Sequence, residues 1–311
     1  MPEWLIERGI GETRAVLVDH GEIVEARIQR DGVVPAGTVL AARLVRTGRN
    51  AVARAGEQEY LLSKGAPGIT EGATLNIEVT RELLGGGEPW KRPLARATEA
   101  APAVAPALAG RSIAFPAPGD ALEAAGWSDL LDEARSGIIT FPGGELRVAL
   151  TPAMTLLDVD GHLPPEQLAL AGATASARTI RRHGISGSIG IDLPTISGKE
   201  ARQAVAAEVD AALPQPFERT AVNGFGFLQI VRPRRHGSLF ELAADRPAFE
   251  ARALLRRAAR ETGAITLVGH PAVVAALQPE WLAELGAQVG GTVSLRPDAS
   301  LAMSAAYAQR S

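Results

Sequence analysis

Residues 155–192 read TLLDVDGHLPPEQLALAGATASARTIRRHGISGSIGID, and the fold turns on how they are parsed. The apolar run Met154 to Leu157 leads into Asp158, Val159 and Asp160, so "MTLLDVD" is a strand ending in two carboxylates before a turn at Gly161. "PPEQLALAGATASARTIRRHG" then reads as a helix opened by proline and closed by Gly184. "SGSIGIDL" is the next strand, and it ends in Asp192 ahead of Leu193 and Pro194. In a sheet of mixed order the ligand crevice lies at strand ends, so acids that end apolar strands face that crevice.

Period-two alternation puts Asp158 and Asp160 on one side of their strand, and Asp192 joins them if the two strands are neighbours. Three carboxylates in one place repel unless a hard cation neutralises them, and Mg²⁺, or Mn²⁺ in its stead, takes oxygen ligands while keeping several waters. Such an ion orients a phosphodiester and activates a water. The competing reading is a turn, because Asp-x-Asp-Gly is common turn chemistry. Arginines weigh toward the metal: the helix ends in Arg178, Arg181, Arg182 and His183, and the strand "FLQIV" runs into Arg232, Arg234, Arg235 and His236. Two arginine knots flanking an acidic pair suit an anionic polymer approaching a metal.

Outward from this region the texture differs on the two sides. Upstream, "TRAVLVDHGEIVEARIQR" from Thr13 to Arg30 alternates about "DHGE" and reads as a hairpin. Short Val- and Leu-rich strands from Gly37 to "EGATLNIEVTREL" suggest a small barrel. "LLGGGEPWKRP" and the Ala/Pro-rich "ATEAAPAVAPALAG" have no period, and residues 96–110 are the expected linker. "DALEAAGWSDLLDEARS" reads as a helix, and residues 138–150 as a hairpin about Pro142, Gly143 and Gly144. Downstream, "SGKEARQAVAAEVDAAL" is a helix with Ser197 as N-cap and Glu200 three residues on; the strands "RTAVN" and "FGFLQIV" follow. From residue 239 a helix–strand–helix–strand tail reads as a small separate α/β unit.

Bulk properties narrow the classes. At 311 residues the chain exceeds one compact core, so several subdomains are expected. A net charge of -3 argues against non-specific coating of nucleic acid. Of 32 basic residues only Lys64, Lys91 and Lys199 are lysines, which leaves mostly guanidinium groups suited to bidentate phosphate contact. There is no cysteine, so any metal is held by oxygen or histidine. The N-terminus has no apolar signal core and no run approaches a membrane span, so a cytoplasmic protein without a membrane partner is expected.

"TLLDVDG", "ASARTIRRHGISGSIGIDL" and "FGFLQIVRPR…SL", in this order and spacing, resemble the catalytic region of the ribonuclease E/G family of endoribonucleases. "GIGETRAVLVDHGEIVEARIQR" is similar to that family's opening hairpin, and "ITLVGHPAVVAALQPEWLAEL" with "VSLRPDASL" to its small C-terminal domain. The resemblance implies an α+β, multi-subdomain fold: an RNase H-like subdomain from residues 1–35 and 111–152, an inserted OB-fold RNA-binding barrel at 36–95, a DNase I-like catalytic subdomain at 153–238, and a small α/β domain at 239–311. It implies Mg²⁺-dependent hydrolysis of single-stranded RNA leaving 5′-phosphate ends, with Asp158 and Asp192 as the metal-binding catalytic aspartates. Asp160 stands where the family usually has asparagine, which adds a charge at the metal and makes it either a third ligand or the sign of an altered active site. Arg178, Arg181, Arg232 and Arg234 are expected along the RNA path. In the barrel Tyr60 falls on a base-stacking aromatic, Val52 falls on the other, and Lys91 with Arg92 reads either as a phosphate contact or as a solvated loop.

The departures from the pattern are as specific. The family's 5′-monophosphate sensor segment has no counterpart here, and its Cys-Pro-x-Cys zinc link is missing from "HGSLFELAAD". No zinc, and a monomer or weak homodimer without zinc-mediated assembly, is therefore expected. Gln229 replaces the family's glutamate, which keeps a second class of answer in play: an RNA-binding protein with weak or no catalysis. Retention of Asp158 and Asp192 favours the enzyme.

Overall fold

The computed structural model describes residues 1–84 and 91–310; residues 85–90, within the span 36–95 expected for the barrel, and Ser311 lie outside them. The chain is α+β and divides into two compact units, one of Met1–Gly32, Gly110–Trp127 and Leu242–Ser311, the other of Val33–Ala109 and Ser128–Glu241. Among the described residues no helix is long and apolar enough to cross a membrane.

The first unit opens with β1 (Glu3–Gly9), β2 (Glu12–Asp19) and β3 (Glu22–Arg30). The second follows with β4 (Val39–Arg46), β5 (Ala51–Ala55), β6 (Gln58–Leu62), β7 (Thr74–Arg81) and β8 (Leu94–Thr98). The chain returns to the first for β9 (Arg111–Ile113) and α1 (Ala121–Ala124), and α2 (Trp127–Ser136) leads out of it. β10 (Ile138–Phe141), β11 (Gly144–Leu150), β12 (Thr155–Gly161), α3 (Pro165–Arg182), β13 (Gly187–Asp192), α4 (Lys199–Ala212), β14 (Glu218–Arg219) and β15 (Phe227–Arg232) belong to the second, and α5 (Leu239–Ala244) ends it. The first closes with α6 (Arg246–Ala258), β16 (Ile265–Gly269), α7 (Pro271–Ala275), α8 (Pro279–Val289), β17 (Val293–Pro297) and β18 (Tyr307–Arg310).

In the first unit β2 and β3 meet at a turn whose His20 and Gly21 both have positive φ, 50° and 87°, the conformation that matches the twist of a two-residue hairpin. The sheet order is β3-β2-β1-β9, and a second sheet runs β17-β16-β18. The tail is not a separate unit, because Ile10 from the β1–β2 turn is buried in one core with Leu254, Leu255, Ile265, Leu267, Trp281 and Leu285. Gly11 admits the Trp281 ring, whose Cε2 lies 2.7 Å from where a Cβ would stand. Beneath the first sheet Glu7, 1% exposed, accepts from Arg14 Nη1 at 2.7 Å and from Arg256 Nε and Nη2 at 3.0 Å each.

The second unit holds a closed barrel in the order β4-β5-β6-β8-β7, filled by Leu44, Tyr60, Leu62, Ile77 and Val79. The expected linker at 96–110 is partly structure: β8 is the fifth barrel strand, and Ala103 exchanges two backbone hydrogen bonds with Val39, at 2.8 and 3.0 Å. The other sheet runs β10-β11-β12-β13-β15-β14. The hairpin β10–β11, expected with the N-terminal part, pairs here with β12 from Gly144↔Gly161 to Leu150↔Thr155. Two local expectations change. Gly126, at φ 94°, separates α1 from α2, and α4 starts after Gly198, at φ 88°, with no side-chain cap bond from Ser197. α3 covers one face of the sheet with a stripe of small residues; at Gly172 a Cβ would stand 2.4 Å from Val159 Cγ1, so only glycine allows this approach.

Candidate metal and nucleic-acid site

On β12 the residues Thr155, Leu157 and Val159 are buried and Asp158 and Asp160 are exposed, so the acids lie on the sheet face away from α3. β12 and β13 pair in parallel with Asp158 directly beside Asp192. Neighbouring strands lie ~4.8 Å apart, so the two exposed carboxylates share one small region of the open face. The tight approach of the flanking chain fixes the place: at Gly190 a Cβ would meet Phe227 Cζ at 2.5 Å and Met154 Sδ at 2.9 Å.

Asp160 does not join the pair as a third ligand. Two residues along a strand is ~7 Å, and the Asp160 Oδ1 accepts from its neighbour Gly161 N at 2.8 Å, which is the turn chemistry that competed with the metal reading. Among the described residues no group of three or more His, Asp or Glu side chains is arranged to hold a metal ion. Two carboxylates nonetheless match how Mg²⁺ binds, through one or two acidic side chains with water and substrate phosphate completing its shell. The donor set therefore fits a two-aspartate site.

Arg147 is a member of this site that the sequence did not announce. It stands opposite Asp158 in the β11–β12 register, and Glu145 stands opposite Asp160. Its guanidinium donates from Nε to Glu145 Oε1 at 2.8 Å. The Glu145 hydrogen bond and charge raise the Arg147 pKa, burial opposes them, and the charges of Asp160 and Asp158 add to the rise. The signal was present as alternation in "ELRVAL", but the partner strand was needed to read it. Gln229 lies opposite Gly190, with its Nε2 donating to Ser188 Oγ at 3.2 Å.

The arginine knots do not flank the acids. Gly187, not Asp192, pairs with Arg232, which puts the "RPRR" knot at the other end of β13, about 16 Å away for five residues of strand. α3 ends at the same edge, so the two knots meet each other. There three of them are tied into the fold, and Arg235 is exposed: Arg232 Nη1 donates to Ile185 O at 3.0 Å, Arg182 Nη1 to Glu133 at 2.9 Å, and Arg234 pairs with Glu241. His183, 1% exposed, stacks on Phe240 at 4.6 Å between centroids and lies 3.0 Å from Glu133 Oε2. Arg181 is half-buried beside them. Arg178 is exposed, but on α3, behind the sheet.

Tyr60 is also misplaced for stacking bases. It is 1% exposed with its ring in the barrel core, and burial raises its phenol pKa. Val52 is likewise buried. Lys91 is half-buried, and Arg92 donates from Nε to Glu59 Oε2 at 3.0 Å. What the barrel does expose is a basic end: at Gly65 a Cβ would stand 2.7 Å from Gly48 O, so two loops abut and bring the exposed Arg46, Arg49 and Lys64 to one side. Compared with known proteins, the chain matches no family model and no curated protein.

Proposed function

We propose that the chain is a Mg²⁺-dependent endoribonuclease of the ribonuclease E/G type, hydrolysing single-stranded RNA to leave 5′-phosphate ends. The observation that carries this reading is the side-by-side register of Asp158 and Asp192 on an open sheet face. In this reading the six-stranded sheet with α3 and α4 is the DNase I-like catalytic subdomain, the barrel is an OB-fold, and the N-terminal sheet is RNase H-like. The enzyme works in the cytoplasm, as a monomer or weak homodimer.

Asp158 and Asp192 would hold the ion, which when bound supplies an activated water and neutralises phosphate charge. Arg147 orients a phosphate oxygen at the same face, at the expense of its bond to Glu145. Because Arg182, Arg232 and Arg234 are engaged within the fold at the far end of β13, strand capture falls to the barrel's basic end at Arg46, Arg49 and Lys64. The lack of a sensor segment leads to equal cleavage of 5′-hydroxyl and 5′-phosphate oligomers.

One observation favours the second reading, an RNA-binding protein with weak or no catalysis: Arg147 already offsets charge at Asp158 and Asp160. An AU-rich single-stranded RNA incubated with wild type and with Asp158→Asn/Asp192→Asn, in Mg²⁺ and in chelator, separates the two. Metal-dependent cutting by wild type alone is the expected result. Equal rates for both proteins, with RNA binding intact, would leave only the binder.

A further inference from the structure

We propose that Phe225 is a stacking platform for an unpaired nucleobase beside the Asp158–Asp192 pair; the inference rests on reading that site as RNA-directed. Phe225 is 82% exposed, an unusual state for a phenyl ring on an ordered turn. It stands in "NGFGF", residues 223–227, where glycines on both sides leave its faces uncrowded. Nothing lies within 4 Å of where a Cβ on Gly224 would stand.

The turn is rigid and belongs to the acidic site. Asn223 Oδ1 accepts from Phe225 N at 2.9 Å and from Phe227 N at 3.0 Å, and Asn223 O accepts from Gly226 N at 3.2 Å. Two further bonds tie it to the segment just past Asp192: Leu193 N donates to Gly226 O at 3.3 Å, and Thr195 Oγ1 donates to Phe225 O at 3.3 Å. Phe227, two residues on, pairs directly with Asp192. The exposed ring is thus held by the same backbone that sets one of the two aspartates, and stacking on it orders nothing new.

The surroundings select the ligand class. On the described strands β11, β12 and β13, Glu145, Asp158, Asp160 and Asp192 outweigh Arg147 and make this face acidic, so a nucleotide gains little here through its phosphates alone. A base is neutral and presents a π face, the one part of a single strand that an acidic surface accepts without a counter-charge. A protein partner fits less well, because β15 offers no adjoining apolar patch: its exposed Val231 lies four residues beyond Phe227, about 13 Å along the strand.

The test measures binding of a fluorescently labelled, short single-stranded RNA in chelator, and cleavage in Mg²⁺, for wild type, Phe225→Ala, Phe225→Leu and Phe225→Trp. Loss of a base stack should weaken binding by roughly tenfold and raise KM with little change in kcat. Phe225→Leu should fail like Phe225→Ala, Phe225→Trp should restore wild-type affinity, and an oligomer with abasic sites should no longer distinguish the variants. Wild-type affinity in Phe225→Ala, or rescue by leucine, overturns the proposal. If wild type binds RNA but cuts no faster than Asp158→Asn/Asp192→Asn, the nuclease reading fails while the binding arm still decides on Phe225. If wild type binds no RNA, both fall.

Discussion

Gly226→Ala should unsettle the second unit and its acidic site, whereas Gly224→Ala, two residues away, should not. Gly226 has φ 92°, a region costing a non-glycine residue about 1–3 kcal/mol. A Cβ there would also stand 2.2 Å from Leu193 O and 3.1 Å from Pro194 O, both backbone atoms that no rotamer change can move aside. Opening that contact by the ~1 Å it requires breaks the 3.3 Å bond from Leu193 N to Gly226 O, worth about 1 kcal/mol. The loss is then about 3 kcal/mol, which for a domain of roughly 150–250 residues lowers Tm by about 6–12 °C. Differential scanning calorimetry of the full chain measures it, and RNA cleavage should fall as well, since Leu193 follows Asp192 directly. At Gly224 a Cβ meets nothing within 4 Å, so the shift should stay within ~0.5 kcal/mol. Equal Tm values for the two variants would refute the claim that the turn at 223–226 and the segment after Asp192 are one piece.

Other outcomes follow from the same structure. Glu7→Gln removes the carboxylate shared by Arg14 and Arg256, and urea unfolding should show a loss of about 3–5 kcal/mol; a loss under ~1 kcal/mol would mean that the two guanidinium groups need no anion there. Burial pushes the Asp120 carboxyl up, but hydrogen bonds from Arg256 and from Glu123 N, with the charges of Arg256 and Arg260, bring it below its ordinary 3.8. A depressed carboxylate stabilises the fold above that ordinary value and loses its contribution as pH falls through the folded value. Urea midpoints of wild type should therefore drop more steeply below about pH 4 than those of Asp120→Asn, and parallel curves would count against it. Tyr60→Phe should keep RNA affinity within twofold in an anisotropy titration, because the ring is core, while Tyr60→Ala should cost the barrel about 3–5 kcal/mol; RNA affinity lost in the phenylalanine variant at unchanged stability would restore Tyr60 as a contact.

Local chemistry was legible where it was local. The Asp19–Glu22 turn, the proline that opens α3 and Gly184, at φ 66°, just past its end all lie within a few residues of what they determine. Ser197 misled, since a cap-competent side chain does not oblige the chain to start its helix there, and α4 begins after Gly198 instead. Tyr60 misled for a related reason: alternation says that one face of β6 is buried, but "QEYLL" does not say which face.

Alternation and turn chemistry are enough to mark Asp158, Asp160 and Asp192 as strand ends and to gather arginines into two clusters, because these are properties of neighbours along the chain. Which of these groups meet depends on how the strands pair. Parallel pairing of β12 with β13 joins Asp158 to Asp192, antiparallel pairing with β11 adds Arg147, and the pairing of Gly187 with Arg232 sends the arginines to the far edge. Strand partner and register depend on backbone hydrogen bonds and packing between residues distant in sequence, and a periodic pattern is the same for every partner it could take.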